Sequence, residues 1–132
     1  MQISIKEFLH KAKTMLIIDV RTPAEFTQGH IPGAINIPIF SDEERAIVGT
    51  KYKQESRDTA IAEAMYFVSQ KVDFYLDEIA KLKILNKKIL IHCWRGGMRS
   101  GSMARLFAAD GYDIQILEGG YKAYRNHILQ SF

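Results

Sequence analysis

The stretch Lys88-Ile-Leu-Ile-His-Cys-Trp-Arg-Gly-Gly-Met-Arg-Ser100 contains the end of a strand, a loop and the start of a helix. Its apolar, β-branched run Ile89–Ile91 predicts a buried strand of a parallel sheet. The only cysteine of the chain, Cys93, follows this run. A helical pattern then begins at Ser100 and ends at Gly111, a residue type that commonly follows helices. Strand, loop and helix in this order predict an α/β fold.

A loop between a strand and a helix can hold an anion, because backbone N–H groups converge there and the helix presents its positive end. Gly96 and Gly97 allow the tight backbone that such a loop needs. These groups, with the side chains of Arg95 and Arg99, are expected to favour the thiolate of Cys93, which is the nucleophilic form. We therefore expect Cys93 to be catalytic rather than a buried structural residue. The expected anion-binding loop consists of Trp94, Arg95, Gly96, Gly97, Met98, Arg99 and Ser100.

The spacing of the loop leaves two chemistries open. Five residues separate Cys93 from Arg99, as in cysteine-dependent phosphatases. The loop also resembles that of rhodanese-like sulfurtransferases, although their usual loop has one residue fewer. The rest of the chain has to distinguish the two.

Composition predicts one globular domain, since 132 residues with 47% hydrophobic and 25% charged residues suffice for a core. No run predicts a membrane span or a signal peptide, so we expect no membrane association. A single cysteine excludes an internal disulfide and indicates a reducing compartment, which we interpret as the cytoplasm. The formal charge of +3 permits binding to a polyanion without requiring it. The four histidines lack metal-ligand spacing, so no metal site is predicted.

Outside the loop, apolar runs alternate with helical patterns, as in α/β folds with a parallel sheet. Met15–Val20 is a second predicted strand, and it delivers Asp19 and Arg21 to the sheet edge where ligand sites collect. We interpret both as structural partners near the loop. Three other helices are predicted to begin with capping boxes, at Ser4–Glu7, Thr22–Glu25 and Ser41–Glu44, and the last of these helices is predicted to end at Gly49. The remaining predicted elements are a strand at Ala34–Ile37, one or two helices in Arg57–Leu85 with a break near Ser69–Gln70, a strand at Tyr112–Leu117 and a helix at Tyr121–Leu129.

Two further sets of motifs carry a resemblance to known families. Asp19-Val-Arg21, Glu25-Phe26 and the run Gly29-His-Ile-Pro-Gly-Ala-Ile-Asn-Ile-Pro38 look like the N-terminal signature of rhodanese-like domains. The segment Ser41–Gln54, together with Cys93-Trp-Arg-Gly-Gly-Met-Arg-Ser100, closely resembles the rhodanese part of the tRNA 2-selenouridine synthase family. The resemblance runs through essentially the whole chain.

The resemblance implies a rhodanese-like α/β fold, with an open, mostly parallel sheet of about five strands and helices on both faces. It also implies that Cys93 carries selenium, or sulfur, as a perselenide or persulfide while 2-thiouridine at the tRNA wobble position becomes 2-selenouridine. Selenophosphate is then a substrate, and no cofactor is expected. The family usually continues into a P-loop domain that handles tRNA. Since the chain has no G-x-x-x-x-G-K-[ST], we expect residues 1–132 to form a single rhodanese-like domain that meets tRNA through that absent domain.

Three alternatives stay open: a general thiosulfate-type sulfurtransferase, a cysteine-dependent phosphatase of the rhodanese fold, and a non-catalytic module that binds tRNA or a partner.

Two residues near Cys93 are given structural interpretations. His92 precedes Cys93 in an extended segment, so the two side chains are expected to point to opposite faces. Ser100 is interpreted first as a helix cap.

Overall fold

The computed structural model describes residues 1–95 and 97–131. These residues form five strands and seven helices. The strands are β1 (Gln2–Ile3), β2 (Leu16–Asp19), β3 (Ile35–Asn36), β4 (Lys88–His92) and β5 (Asp113–Leu117). The helices are α1 (Ile5–Lys11), α2 (Pro23–Gln28), α3 (Asp42–Gln54), α4 (Arg57–Ser69), α5 (Val72–Ala80), α6 (Met98–Ala109) and α7 (Gly120–Gln130).

The described strands form one parallel sheet in the order β1-β5-β4-β2-β3. At its centre β2 pairs with β4, and Ile18 lies opposite Ile91. From β2 the chain moves to β3 on one side and later to β4 on the other. Such a reversal leaves a crevice at the carboxyl ends of the strands, where open α/β sheets bind ligands. The predicted fold class is therefore confirmed, and the segment after β4 lies at the crevice.

Strand β4 contributes side chains to the hydrophobic core on both faces of the sheet, because successive side chains of a strand point to opposite faces. Ile89 and Ile91 pack in a cluster with Phe107 of α6. Leu90 points the other way and packs in a second cluster with Phe8 of α1. Full burial of each such side chain stabilises the fold by about 1.5–3 kcal/mol. Helices thus cover both faces of the sheet, as predicted.

Side-chain caps begin the helices that were predicted from capping boxes. Thr22 and Ser41 form complete boxes with Glu25 and Glu44. The predicted end of α3 at Gly49 is wrong, since the helix continues to Gln54. Glycine costs a helix only about 1 kcal/mol relative to alanine, and the packing of α3 against α4 offsets that cost.

Three other element boundaries differ from the sequence patterns or refine them. The segment after residue 56 forms two helices, with the break after Ser69 that the pattern allowed. Helix α6 begins at Met98, so Ser100 lies inside the helix and not at its start. The edge strand β1 was not predicted, because two residues carry no periodicity. No helix within the described residues is both long and apolar enough to span a membrane.

Candidate active site

Cys93 lies directly after β4, where backbone contacts hold it in place. Its carbonyl oxygen accepts a hydrogen bond from the N–H of Tyr121 at 2.8 Å, and the Trp94 carbonyl accepts one from Lys122 at 3.0 Å. A Cβ added to Gly120 would stand 2.6 Å from the Cys93 and Trp94 carbonyl oxygens. Gly120 permits this close approach because it has no Cβ. The start of α7 therefore positions Cys93.

The Cys93 thiol is buried and bonds to the first turn of α6. Its Sγ lies 3.2 Å from Ser100 Oγ, which in turn lies 3.3 Å from the carbonyl oxygen of Gly97. The capping interpretation of Ser100 is wrong, because the helix begins two residues earlier and the hydroxyl faces the sulfur. A hydroxyl has one proton and can also accept. It can therefore accept from the thiol, or donate to the thiolate once Cys93 ionises.

Arg99, one of the two arginines that were predicted to favour the thiolate, is held by a carboxylate from α2. Arg99 Nη1 donates to Glu25 Oε1 at 2.7 Å, and Nη2 lies 3.4 Å from Oε2. Burial raises the pKa of Glu25, but hydrogen bonds from Arg99 and Thr22 outweigh it and hold the pKa below its ordinary value. Glu25 is therefore ionised at neutral pH, and it orients the guanidinium while neutralising part of its charge. Arg95 is exposed at the rim.

Sequence reasoning missed Arg45, a cation that α3 brings to the same place. Burial is the main cause that lowers its pKa, followed by the nearby charge of Arg99, whereas Glu25 and Cys93 act in the opposite direction. Arg45 still carries its positive charge at neutral pH. Among the described residues, no carboxylate forms an ion pair with it. Arg45 therefore adds a charge to the site that Glu25 does not neutralise through a direct pair.

Two cavities meet at this site. The first has a volume of about 690 Å³ and is mostly apolar, with walls from α3 and α4 and Cys93 at its edge. The second has a volume of about 550 Å³ and is more polar, with Glu25, Gln28 and Arg125 in its wall. Arg45 and Trp94 line both. A ligand in the polar cavity therefore borders the cavity that contains the sulfur atom.

A buried network next to Cys93 agrees with the structural interpretation of Asp19 and Arg21. Arg21 donates to both carboxylate oxygens of Asp19 and, at 2.7 Å, to the carbonyl oxygen of Gly29. His92 is fully buried, with Nδ1 3.0 Å from the Cys93 carbonyl oxygen and Nε2 3.5 Å from Asp19 Oδ2. Burial is the main cause that lowers the pKa of His92, and the opposing charge of Asp19 does not cancel it. The imidazole is therefore neutral and has a structural role in this buried network.

The remaining residues of the predicted loop have different positions. Trp94 is half-buried between the two cavities, and Gly97 and Met98 are exposed at the apolar cavity. Gly96, which was also predicted to contribute, lies outside the described residues. The structure thus brings Cys93, Arg99 and Ser100 together from the predicted loop and adds Glu25 and Arg45 from distant segments.

Comparison with known proteins gives a consistent result. A family model for the rhodanese-like domain matches residues 3–127. Proteins named tRNA 2-selenouridine synthase are 39% identical in Nitrosomonas europaea, over 87% of this chain, and 38% identical in Psychromonas ingrahamii, over 86% of it. A relative of that name from Sulfurovum sp. (strain NBC37-1) is 39% identical over 86% of the chain. The similarity that the sequence motifs indicated is confirmed. The alignments cover 30–32% of these relatives, so the chain spans about a third of their length.

Solved structures show the same similarity at the level of the fold. One is the N-terminal domain of a Clostridium difficile 630 protein described as ATP/GTP binding, with a TM-score of 0.88 and 41% identity, covering 98% of this chain and 99% of that one. Another is a rhodanese-related protein from Thermoplasma volcanium, with a TM-score of 0.59 and 21% identity, covering 96% of this chain and 91% of that one. The second shares the fold alone.

Proposed function

The chain belongs to the family of rhodanese-like domains, and from this premise we propose that Cys93 carries selenium, or sulfur, for the conversion of 2-thiouridine to 2-selenouridine at the tRNA wobble position. The names of the curated relatives support the reaction. The observation that carries the proposal is the position of the thiol. Cys93 lies at the end of a central strand, its thiol bonds to Ser100, and it lines the apolar cavity together with Arg45 and Arg99.

The first step is attack of the Cys93 thiolate on the terminal chalcogen atom of a donor. A bond forms between the cysteine sulfur and that atom, and the bond between the atom and its oxyanion breaks. The oxyanion leaves with the electron pair, as sulfite does from thiosulfate. Cys93 then holds a persulfide or, with selenophosphate as the selenium donor, a perselenide. Because the selenium of selenophosphate is at the selenide level, the electron pair leaves with phosphorus, which departs as phosphite and not as phosphate. Ser100 stabilises the thiolate before attack by donating a hydrogen bond from its hydroxyl group to Sγ.

The leaving oxyanion needs positive groups that are already in place. The first turn of α6 leaves its backbone N–H groups without acceptors inside the helix. Arg99 is oriented by Glu25, and Arg45 adds its own charge from α3. Together these groups form a prearranged site for a tetrahedral anion next to Cys93. No cofactor is required for this step.

The second step exchanges chalcogens between Cys93 and the nucleoside. The selenium of the perselenide replaces the sulfur at C2 of 2-thiouridine, and that sulfur stays on Cys93 as a persulfide. Atoms and electrons balance in this exchange without an external oxidant or reductant. Because the chain spans about a third of the relatives' length, we propose that a further domain presents the tRNA.

An intact mass measured without reductant tests the first step. The protein is exposed separately to thiosulfate and to selenophosphate, and the covalent gain is recorded. We expect a gain of one sulfur atom from the first donor and one selenium atom from the second. Both gains must disappear in Cys93→Ser, which keeps nearly the same size and removes the nucleophile.

The outcomes of this experiment separate the alternatives. A gain of sulfur alone indicates a general thiosulfate-type sulfurtransferase. No gain from either donor, in a protein whose thermal unfolding is cooperative, contradicts the proposal and favours a non-catalytic module that binds tRNA or a partner. Ser102→Ala is a suitable control for folding and handling, because it changes a second serine of α6 that does not bond to Cys93.

A phosphatase is the second candidate, and the spacing of Cys93 and Arg99 favours it. Such an enzyme needs a group that protonates the leaving alkoxide. Of the described residues that line the two cavities, Glu25 is the one carboxyl group. Its lowered pKa and its pair with Arg99 make it a poor proton donor at neutral pH. Hydrolysis of an aryl phosphate that Cys93→Ser abolishes would nevertheless establish this activity.

A further inference from the structure

Four side chains form a layered column in the wall of the polar cavity. The Arg125 guanidinium carbon lies 5.4 Å from the centre of the Trp94 ring. Trp94 stacks on Tyr121, with ring centres 5.9 Å apart and planes inclined by 30°. The Arg21 guanidinium carbon lies 4.1 Å from the centre of the Tyr121 ring. The column thus consists of two neighbouring aromatic rings, each of which also contacts a guanidinium group.

The two ends of the column differ in how firmly they are held. Arg21 is buried and makes an ion pair with Asp19 at 2.8 Å. Arg125 is exposed, and in the described part of the chain it forms no ion pair. An exposed cation–π contact is weaker than the stacking of a nucleobase on an aromatic ring. The contact of Arg125 with the Trp94 ring is therefore one that a base can displace.

The geometry points to a nucleotide site: we propose that the polar cavity binds one unpaired nucleotide of single-stranded RNA, with its base stacked on Trp94. Arg125, displaced from the ring, then pairs with the phosphate. The cavity volume of about 550 Å³ lies within the usual range for small-molecule sites. The inference rests on the proposed function, for which this site would hold the acceptor base.

The polar groups of the cavity fit the edge of a pyrimidine. Gln28, the last residue of α2, is exposed and lines the cavity. Its amide carries a donor and an acceptor, which match the O4 and N3–H groups of uracil and of 2-thiouracil. Trp94 follows Cys93 in the chain and lines both cavities. A base on Trp94 thus contacts the residue that directly follows Cys93, whose sulfur atom the proposed reaction uses.

Intrinsic fluorescence provides a direct test, because Trp94 is the only tryptophan of the chain. The probe is a ribotrinucleotide whose central residue carries 2-thiouracil and whose two flanking residues are abasic. The matched probe is the same backbone with all three residues abasic. We expect saturable quenching by the first probe, and at least tenfold weaker binding of the second, since only the first can stack.

Substitutions of residues in the column test whether these residues bind the probe. Arg125→Gln is expected to weaken binding of the 2-thiouracil probe about fivefold and to reduce the salt dependence by about one charge. Arg105→Gln is the matched control, because it removes the same charge from an exposed arginine that lines only the apolar cavity. Trp94→Ala, measured by calorimetry, is expected to weaken binding about tenfold. All three variants must retain the thermal midpoint of the parent chain within a few degrees.

Loading of Cys93 by thiosulfate is measured by intact mass on the same preparations. It shows whether the nucleotide site and the proposed function fail independently. Normal loading without quenching overturns the nucleotide site and leaves the proposed function intact. Quenching without loading supports the site and overturns the catalytic role. Equal binding of the abasic probe, or of a peptide of seven glutamates, overturns the inference, because charge alone would then explain the affinity.

Discussion

At the scale of single residues, the site combines groups that are adjacent in the chain with groups that are far apart. Cys93, Arg99 and Ser100 belong to one loop and helix start. Glu25 comes from α2 and Arg45 from α3. The charge of Arg99 is partly neutralised by Glu25, whereas Arg45 has no such carboxylate partner among the described residues. The electrostatic strength of the site therefore depends on Arg45 as well as on Arg99.

Replacement of Arg45 by glutamine should slow the loading of Cys93 by thiosulfate. We expect the second-order rate constant for loading to fall about tenfold, since the loss of about 1.4 kcal/mol of charge stabilisation corresponds to a factor of ten. The difference should shrink in high salt, because ions screen partly exposed charges. The rate is measured by the mass of the protein at timed intervals.

Arg57→Gln provides the control for this experiment. Arg57 is an exposed arginine that lines the apolar cavity from α4, so the variant carries the same change in net charge. Its loading rate should match that of the unchanged protein. An equal loss in both variants would mean that net charge matters and the position of Arg45 does not.

The sequence was sufficient for residues whose role depends on their neighbours in the chain. That Cys93, Arg99 and Ser100 lie together could be predicted because strand, glycines and helix follow one another within about 25 residues of sequence. Arg45 could not, because nothing local indicates that α3 turns toward the end of β4. Glu25 was predicted only as a cap, and its Oε1 both accepts from the N–H of Thr22 and binds Arg99. One carboxylate thus serves two roles, of which sequence shows one.

At the scale of secondary-structure elements, glycines at two helices have opposite roles. Gly120 begins α7 with φ +62°, and an added Cβ would meet the backbone of Cys93 and Trp94 at 2.6 Å. Gly49 lies inside α3, and an added Cβ would meet nothing within 4 Å. The first position requires glycine for its conformation and for space, while the second only bears the entropic cost of glycine in a helix.

The pair Gly120→Ala and Gly49→Ala should therefore change stability in opposite directions. Gly120→Ala is expected to lower the free energy of unfolding by about 2 kcal/mol or more, since both strain and overlap result. Gly49→Ala is expected to raise it by about 0.5–1 kcal/mol. Urea unfolding followed by circular dichroism measures both. A loss of stability in Gly49→Ala would show that α3 lacks free space at that position.

Element boundaries were predictable where a side chain marks them. Thr22 and Ser41 cap α2 and α3 as predicted, because a hydroxyl followed three residues later by glutamate satisfies the free N–H groups of a helix. The start of α6 was missed because Gly97 precedes it without a side-chain cap. The edge strand β1 depends on its pairing with β5, which is a contact between the two ends of the chain.

At the scale of the whole molecule, the parallel sheet determines where the candidate active site lies. β2 and β4 are neighbours in the sheet but lie about 70 residues apart in sequence, and each ends at the crevice. The predicted fold class includes this arrangement, since the order of strands reverses there. The size and polarity of the two cavities were beyond prediction, because they depend on how α3 and α4 pack beside the loop.

The buried His92 connects the stability of the whole domain to pH. Its pKa is lowered in the folded protein, mainly by burial, while the unfolded chain titrates near the ordinary value of about 6.5. Below that pH the unfolded state binds a proton that the folded state excludes, so stability is lost as pH falls. Above it, the neutral imidazole contributes no pH dependence.

Thermodynamic stability should accordingly fall by about 1 kcal/mol per pH unit between pH 6 and 5 through this residue. Urea unfolding at closely spaced pH values measures the slope. In His92→Asn the slope should be smaller whatever the absolute stability, because the group that takes up the proton is gone. His10→Asn, which removes an exposed histidine of α1, should keep the original slope. Equal slopes in all three proteins would mean that the proton enters elsewhere, and that the network of Asp19, Arg21 and His92 tolerates an imidazolium in the core.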